Sequence, residues 1–283
     1  MITRVRSYQS ASSVAMARQC ELLYAFRYLL GLSDPEIPWG EIAKGKVVKA
    51  PWDATPAPGQ CSIGQYSRSL GQEIHRLAGV HYGSAESVDW CGLPGQCLAS
   101  ALDCLPKKEE RRVEIETPIG FTACEGERVN RIFEFEGTYW AGAIDLLFLS
   151  EKWPPLIVDL KSVSDISKYA KSPKELEADL AANLYGRYIM DRFGLSYVRH
   201  RWVYMQTAPR KPRVAKPVDF VIDRSTSRKV VGEAAAFVKE KLNHLSFEEA
   251  KMSPRSCDKY GGCGMHLDLG GPCQCKKWIR TLP

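Results

Sequence analysis

No apolar run in this sequence approaches the ~18 residues that a membrane span needs, so no transmembrane helix is expected. Residues 1–13 hold no apolar core of the kind a secretory leader requires, which makes a cytoplasmic protein without membrane attachment the expectation. Internal repeats and low-complexity segments are missing, which argues against a solenoid or a disordered chain. There is no helix-turn-helix or other base-reading motif, so sequence-specific DNA recognition is not expected. Without an export signal, the ten cysteines do not read as a disulfide framework.

What is present fits a globular enzyme-sized chain. At 283 residues, 45% of them hydrophobic and 25% charged, it can bury a sizeable core. The net charge of +6 is only mildly basic, so its distribution matters more than its size. Arg199 to Pro217 holds six Lys or Arg and no acid, and after Asp268 the only charges are Lys276, Lys277 and Arg280. Each stretch reads either as a solvated face or as a contact for a polyanion. Cys61, Cys91, Cys97, Cys104 and Cys124 are scattered and read as buried free thiols. Cys257, Cys263, Cys273 and Cys275 cluster in a tail, residues 253–283, that lacks the apolar content for a core of its own. Clustered thiols in a reducing compartment suggest a metal or an iron–sulfur cluster.

The apolar periodicity changes along the chain. Val14–Leu30 reads as a helix preceded by Ser12 and Ser13 as caps, with Gly31 as its stop. Residues 33–64, rich in Pro and Gly, read as an irregular insertion with short strands. Gln65–Leu77 reads as a helix, 79–95 as a glycine-rich loop and Gly95–Leu105 as another helix. Arg112–Pro118, Arg131–Phe135, Tyr139–Leu149 and Leu156–Val163 read as strands, with Trp153-Pro154-Pro155 turning between the last two. Leu176, Leu180, Leu184 and Tyr188 at i+4 spacing predict one long helix over Pro173–Phe193. Arg199–Gln206 and Val218–Ile222 return to strand, and Ser225–Leu242 reads as a helix capped by serine or threonine. The expected fold class is α/β, a mostly antiparallel sheet flanked by helices in one domain with decorated ends.

Two of those strands carry acids inside apolar runs. Asp145 lies in Gly142-Ala143-Ile144-Asp145-Leu146-Leu147, and Asp159 with Lys161 in Leu156-Ile157-Val158-Asp159-Leu160-Lys161. A buried carboxylate is costly unless something pairs it. Alternation along a strand puts Asp159 and Lys161 on one face. A hairpin centred on residue 152 sets Asp145 opposite Asp159, roughly 5 Å apart at Cβ. Like charges so placed favour a cation between them, and Mg²⁺ or Mn²⁺ prefers such oxygens. Two carboxylates, a divalent metal and an ammonium group suit phosphodiester hydrolysis. A buried Asp159–Lys161 ion pair beside a solvated Asp145 is the structural alternative.

These residues resemble the RecB-like branch of the PD-(D/E)XK nuclease superfamily, which includes CRISPR-associated adaptation exonucleases and many phage exonucleases. Gly71-Gln72-Glu73-Ile74-His75 is similar to the family's G-x-x-x-H helix, Gly142-Ala143-Ile144-Asp145 to its G-x-x-D strand, and Asp159-Leu160-Lys161 to its D-x-K. Asp179 to Tyr185 resembles the helix bearing Q-x-x-x-Y. The resemblance implies a restriction-endonuclease-like core, with residues 1–283 forming a single nuclease domain. It also implies a deoxyribonuclease acting on DNA ends in recombination, repair or CRISPR adaptation, with a protein partner in such a complex. His75, otherwise an ordinary helical histidine, becomes a metal ligand with Asp145 and Asp159, and its imidazole suits Mn²⁺ better than Mg²⁺. Lys161 and Tyr185 become catalytic; His81 lies outside the motif. One position departs from the pattern: Ala181 stands where the family has glutamine, and Asn183 is turned to another side of the helix. That departure leaves open a DNA-binding protein of weak activity.

The same branch holds a [4Fe–4S] cluster by one N-terminal and three C-terminal cysteines. On that pattern the ligands are Cys20, Cys257, Cys263 and Cys273, with Cys275 competing for the fourth place and the tail packing with the N-terminal helix. Zn²⁺ also takes four thiolates, so a zinc-stapled structural or interaction protein is the other alternative. For a DNA substrate, the expected phosphate contacts are Lys168, Lys171, Arg187 and the basic stretch Arg199 to Lys216. Tyr185 or Trp202 could stack bases of a single strand.

Overall fold

Runs of β-branched and large apolar residues between residues 112 and 223 build one five-stranded sheet. Its strands are β1 (Arg112–Ile119), β2 (Gly142–Leu149), β3 (Leu156–Val163), β4 (Tyr197–Gln206) and β5 (Ala215–Asp223), in spatial order β5-β4-β3-β2-β1. β1 with β2, β2 with β3, and β4 with β5 run antiparallel, while β3 and β4 are parallel. The sheet is therefore mixed and mostly antiparallel, as the sequence predicts. A parallel pair needs a long crossover; of the helices α1 (Ile63–Gly83), α2 (Leu93–Leu102) and α3 (Leu180–Phe193), the last lies within the one that joins β3 to β4. The computed structural model describes residues 8–30, 36–49, 59–84, 86–108, 111–124, 127–130, 133–208, 210–246, 249–251 and 253. Cys257, Cys263, Cys273 and Cys275 lie outside the described residues.

The chain divides into two units, one of Met1–Arg6, Ser12–Leu70 and Glu240–Pro283, the other of Ser7–Ala11 and Gly71–Lys239. The second unit contains the sheet. Helices lie on both of its faces, which is why β2 and β3 read as nearly continuous apolar runs rather than alternating ones. Ile144, Leu146, Leu147, Phe148, Leu156, Ile157, Val158 and Leu160 are all buried. On one face α3 approaches β4 and β5 through Gly186, where an added Cβ would meet His200, Ile222 and Val198 within 3.1 to 3.2 Å. On the opposite face the long helix Ile63–Gly83 runs with its Gly71–Gly83 stretch against β1 and β3. Added Cβ atoms on Gly79 and Gly83 would come within 3.4 and 2.7 Å of Ile115. Those two glycines, read as loop residues in the sequence, are helical, and Gly83 lets helix and strand approach closely.

Three other expectations change for identifiable reasons. The strand expected over Tyr139–Leu149 is two strands. Thr138–Trp140 pairs with Phe133–Phe135 in a separate hairpin, and Gly142–Leu149 joins the sheet. Trp140, fully buried, donates from Nε1 to the Phe135 carbonyl and holds the small hairpin in place. The long helix expected over Pro173–Phe193 breaks into Pro173–Glu177 and α3. Asp179 caps α3 by accepting from the Ala181 and Ala182 N–H groups, and the buried Asn183 amide donates to the Glu177 and Asp179 carbonyls at the break. Helix α4 (Arg224–Phe237) is capped by the Asp223 carboxylate, which accepts from the Thr226 N–H, and not by serine or threonine.

In the first unit the continuous helix expected over Val14–Leu30 is interrupted at Cys20, whose backbone is extended at φ −159°, ψ 108°. Helical turns follow over Glu21–Tyr24 and, with π spacing, over Ala25–Leu29. Leu22 donates its N–H to the Lys251 carbonyl at 3.1 Å, and Lys251 returns its own N–H to the Glu21 carboxylate at 3.0 Å. A backbone donor used this way is lost to a continuous helix. Residues 33–64 include a short helix, Trp39–Ala43, and a parallel strand pair, Val48–Lys49 with Gln60–Cys61.

Candidate metal centre

The β2–β3 hairpin is centred on residue 152: Phe148 pairs with Leu156, Leu147 with Ile157 and Leu146 with Val158. Asp145 and Asp159 are the next pair in that register, where the ladder ends. Leu160 is the first residue whose backbone groups find no strand partner on the β2 side. Both are taken up: its N–H donates to Asp145 Oδ2 at 2.7 Å, and its carbonyl lies 3.1 Å from His75 Nε2. His75 comes from the helix Ile63–Gly83, with Nε2 3.6 Å from Asp145 Oδ2. Strand splaying thus brings an imidazole, a carboxylate and a main-chain carbonyl to one point.

Asp159 and Lys161 lie beside this point on the opposite face of β3 from Leu160. Asp159 is 4% exposed, and its Oδ2 sits 2.6 Å from Lys161 Nζ without the alignment of a good hydrogen bond. Burial pushes the Asp159 carboxyl up to about 6; Lys161 works against the shift and Asp145 adds to it. Burial also disfavours the Lys161 ammonium, yet Asp159 and Asp145 outweigh it and hold the group above the ordinary lysine value. The β4 register sets Trp202 beside Asp159 and Tyr204 beside Lys161. The Lys161 and Lys171 ammonium groups lie 4.7 and 5.5 Å from the Trp202 ring centroid. Trp202 is 5% exposed and so offers no open face for the base stacking considered from sequence.

Tyr185 reaches the site from α3. An added Cβ on Gly142 would stand 3.1 Å from Tyr185 Cε1, so the glycine of the Gly142–Asp145 strand makes room for the tyrosine ring. The phenol is raised by burial and by the nearby Asp159 and Asp145, and it keeps its proton at neutral pH. Ala181, one turn earlier on α3, brings only a methyl group. Of the cations expected to meet phosphate, Lys171 pairs with Asp179 at 2.7 Å and Arg187 with Asp191 at 2.7 Å. Arg201 forms a fork on Asp219, and Lys211 pairs with Asp165.

Sequence reading missed one residue here. Glu116 lies on β1, opposite Asp145 in the register that pairs Ile115 with Leu146 and Thr117 with Ile144. Its Oε1 is 3.9 Å from His75 Nδ1. His75, Glu116 and Asp145 offer ligand atoms within 4.8 Å of one another and could hold a metal ion. The donors fit a hard divalent cation. Neighbouring ligands around a six-coordinate ion with ~2.1 Å bonds are about 3.0 Å apart. The separations from Nε2 to the Leu160 carbonyl and to Asp145 are 3.1 and 3.6 Å. One nitrogen among oxygens suits Mn²⁺ at least as well as Mg²⁺.

No family model and no curated protein matches this chain. Solved structures with a similar course include SSO0001, at TM-score 0.40 and 9% identity over 96% of this chain and 89% of that one. Another is a presumed exonuclease from Eubacterium rectale, at TM-score 0.45 and 11% identity over 89% of this chain and 86% of that one. At such scores neither likeness transfers an activity; the residues of the site must carry it.

Proposed function

We propose that the chain is a divalent-metal-dependent deoxyribonuclease of the RecB-like PD-(D/E)XK type, acting on DNA ends. The observation that carries this reading is the convergence of His75 Nε2, Asp145 Oδ2 and the Leu160 carbonyl beside the buried Asp159–Lys161 pair. His75, Asp145 and the Leu160 carbonyl, joined by Asp159, would hold Mn²⁺ or Mg²⁺. Bound there, such a cation supplies Lewis acidity that makes water nucleophilic near neutral pH and offsets charge on the phosphate. The Lys161 ammonium, held by Asp159, donates to the attacking water or to a phosphate oxygen and stabilises charge as it builds up. The protonated Tyr185 hydroxyl is a second donor on the same side. Trp202 and Tyr204, both buried, stand beside Asp159 and Lys161 on β4 and shield the pair on that side.

Incubation of the purified chain with labelled single- and double-stranded DNA and Mn²⁺ tests this reading. Asp159→Ala and Lys161→Ala should each abolish cleavage while leaving far-UV circular dichroism and DNA affinity intact. Unchanged cleavage in either variant removes that residue from the mechanism. The alternative of a weak nuclease that mainly binds DNA is favoured by Ala181, whose methyl supplies no donor where the family uses glutamine. Its signature is salt-dependent DNA binding without turnover.

We also propose the [4Fe–4S] cluster on Cys20, Cys257, Cys263 and Cys273. In support, Cys20 is buried with an extended backbone, and the neighbouring Glu21 and Leu22 are hydrogen-bonded to Lys251, six residues before Cys257. A brown protein absorbing near ~400 nm, bleached by Cys20→Ser, supports the cluster; a colourless zinc-loaded protein favours the zinc alternative.

A further inference from the structure

Glu116 could join His75 and Asp145 around an ion, yet it faces the other nitrogen of the imidazole ring. His75 presents its two nitrogens to different partners. Nε2 faces the Leu160 carbonyl and Asp145, whereas Nδ1 faces Glu116 Oε1 at 3.9 Å. A cation among Nε2, Asp145 and Leu160 therefore leaves Nδ1 to carry the ring proton. A metal-binding imidazole needs that second N–H anchored to an acceptor, or the ring turns and its tautomer is unset. Glu116 is the carboxylate on that side. It holds its position through a backbone that few side chains adopt: φ is +46°, one of only two non-glycine residues with positive φ among the described residues. The other, Glu136, sits with Gly137 in the two-residue turn of the small hairpin, where positive φ is required. Glu116 has no such excuse. It lies within β1, between two regularly paired residues.

We propose that Glu116 is the positioning residue of the metal centre: it accepts the Nδ1–H of His75 and fixes Nε2 toward the cation. This rests on the metal-site reading above. It separates Glu116 from Asp145 and Asp159, which on that reading would hold the ion. It also makes β1, a strand with no part in the sequence motifs, a support for the site.

Calorimetric titration with Mn²⁺, without DNA, tests the role on wild type, Glu116→Ala, Glu116→Gln and Glu116→Gly. Loss of an orienting partner weakens metal affinity ~10- to 100-fold, and this is expected for the alanine and glycine variants. The glutamine variant retains an acceptor oxygen and is expected to recover most of that affinity. The glycine variant should also melt at a higher temperature than wild type without metal, because it relieves the positive φ while losing the carboxylate. A merely structural glutamate would not produce that combination. Glutamine as weak as alanine overturns the proposal in favour of direct ligation by the carboxylate, and wild-type affinity in the alanine variant removes Glu116 from the centre altogether. No Mn²⁺ binding by the wild type would instead refute the metal-site reading itself.

Discussion

His200 on β4 should make this fold acid-labile by an amount that can be worked out. The ring is 1% exposed and stacks on Phe220 with centroids 4.9 Å apart, and neither nitrogen has a hydrogen-bond partner. Burial holds its pKa down to about 3. The unfolded chain takes up the proton below its ordinary value of ~6.5, whereas the folded chain resists it down to about 3. Neutral His200 therefore contributes its full stability above pH 6.5, and that contribution falls by up to ~1.4 kcal/mol per pH unit on acidification. At pH 5 the loss is ~2 kcal/mol, a large share of a net stability of 5 to 15 kcal/mol. His200→Leu has a similar volume and nothing to protonate. It also removes two unsatisfied buried nitrogens, so it should be at least as stable as wild type at pH 7.5. Urea unfolding followed by tryptophan fluorescence, at pH 7.5 and pH 5.0, measures both proteins. The gap in favour of the leucine variant should widen by ~2 kcal/mol at the lower pH. Parallel acid sensitivity of the two proteins would refute the reasoning, whatever their absolute stabilities.

Other consequences follow from the site and its supports. Mn²⁺ affinity should fall as pH drops through about 6, where the raised Asp159 carboxyl takes up its proton, and calorimetry across pH 5 to 8 reads this directly. Gly142→Ala should disturb Tyr185, whose ring a Cβ would meet at 3.1 Å, and depress turnover more than Mn²⁺ affinity. Gly71→Ala faces only Ser162 Oγ at 3.5 Å and should be nearly silent in the same assays.

The two acid-bearing strands were legible because their signals are local. Asp145, Asp159 and Lys161 stood out as charges in apolar runs, and the Trp153-Pro154-Pro155 turn fixed a register that the ladder reproduces. The break at Asp179 was invisible because Leu176, Leu180 and Leu184 keep helical spacing across it. What stops the helix is a set of side-chain bonds from Asp179 and Asn183 to the backbone. Glu116 could not be found from sequence. A glutamate alternating with Glu114 on a strand reads as an ordinary solvent-facing residue, and a positive φ at a non-glycine leaves no sequence mark. Trp202 misled for the opposite reason: aromatic residues near a basic stretch suggest base stacking, but here the ring is buried beneath two lysines.

The most direct measurement of the central claim is cleavage of end-labelled linear DNA by the purified chain, with Mn²⁺ against the same reaction in EDTA. The account predicts metal-dependent loss of label by the wild type and none by Asp145→Ala, with both proteins folded and both binding DNA. Intact DNA after incubation of a folded, Mn²⁺-loaded wild type, or equal cleavage by Asp145→Ala, would contradict it.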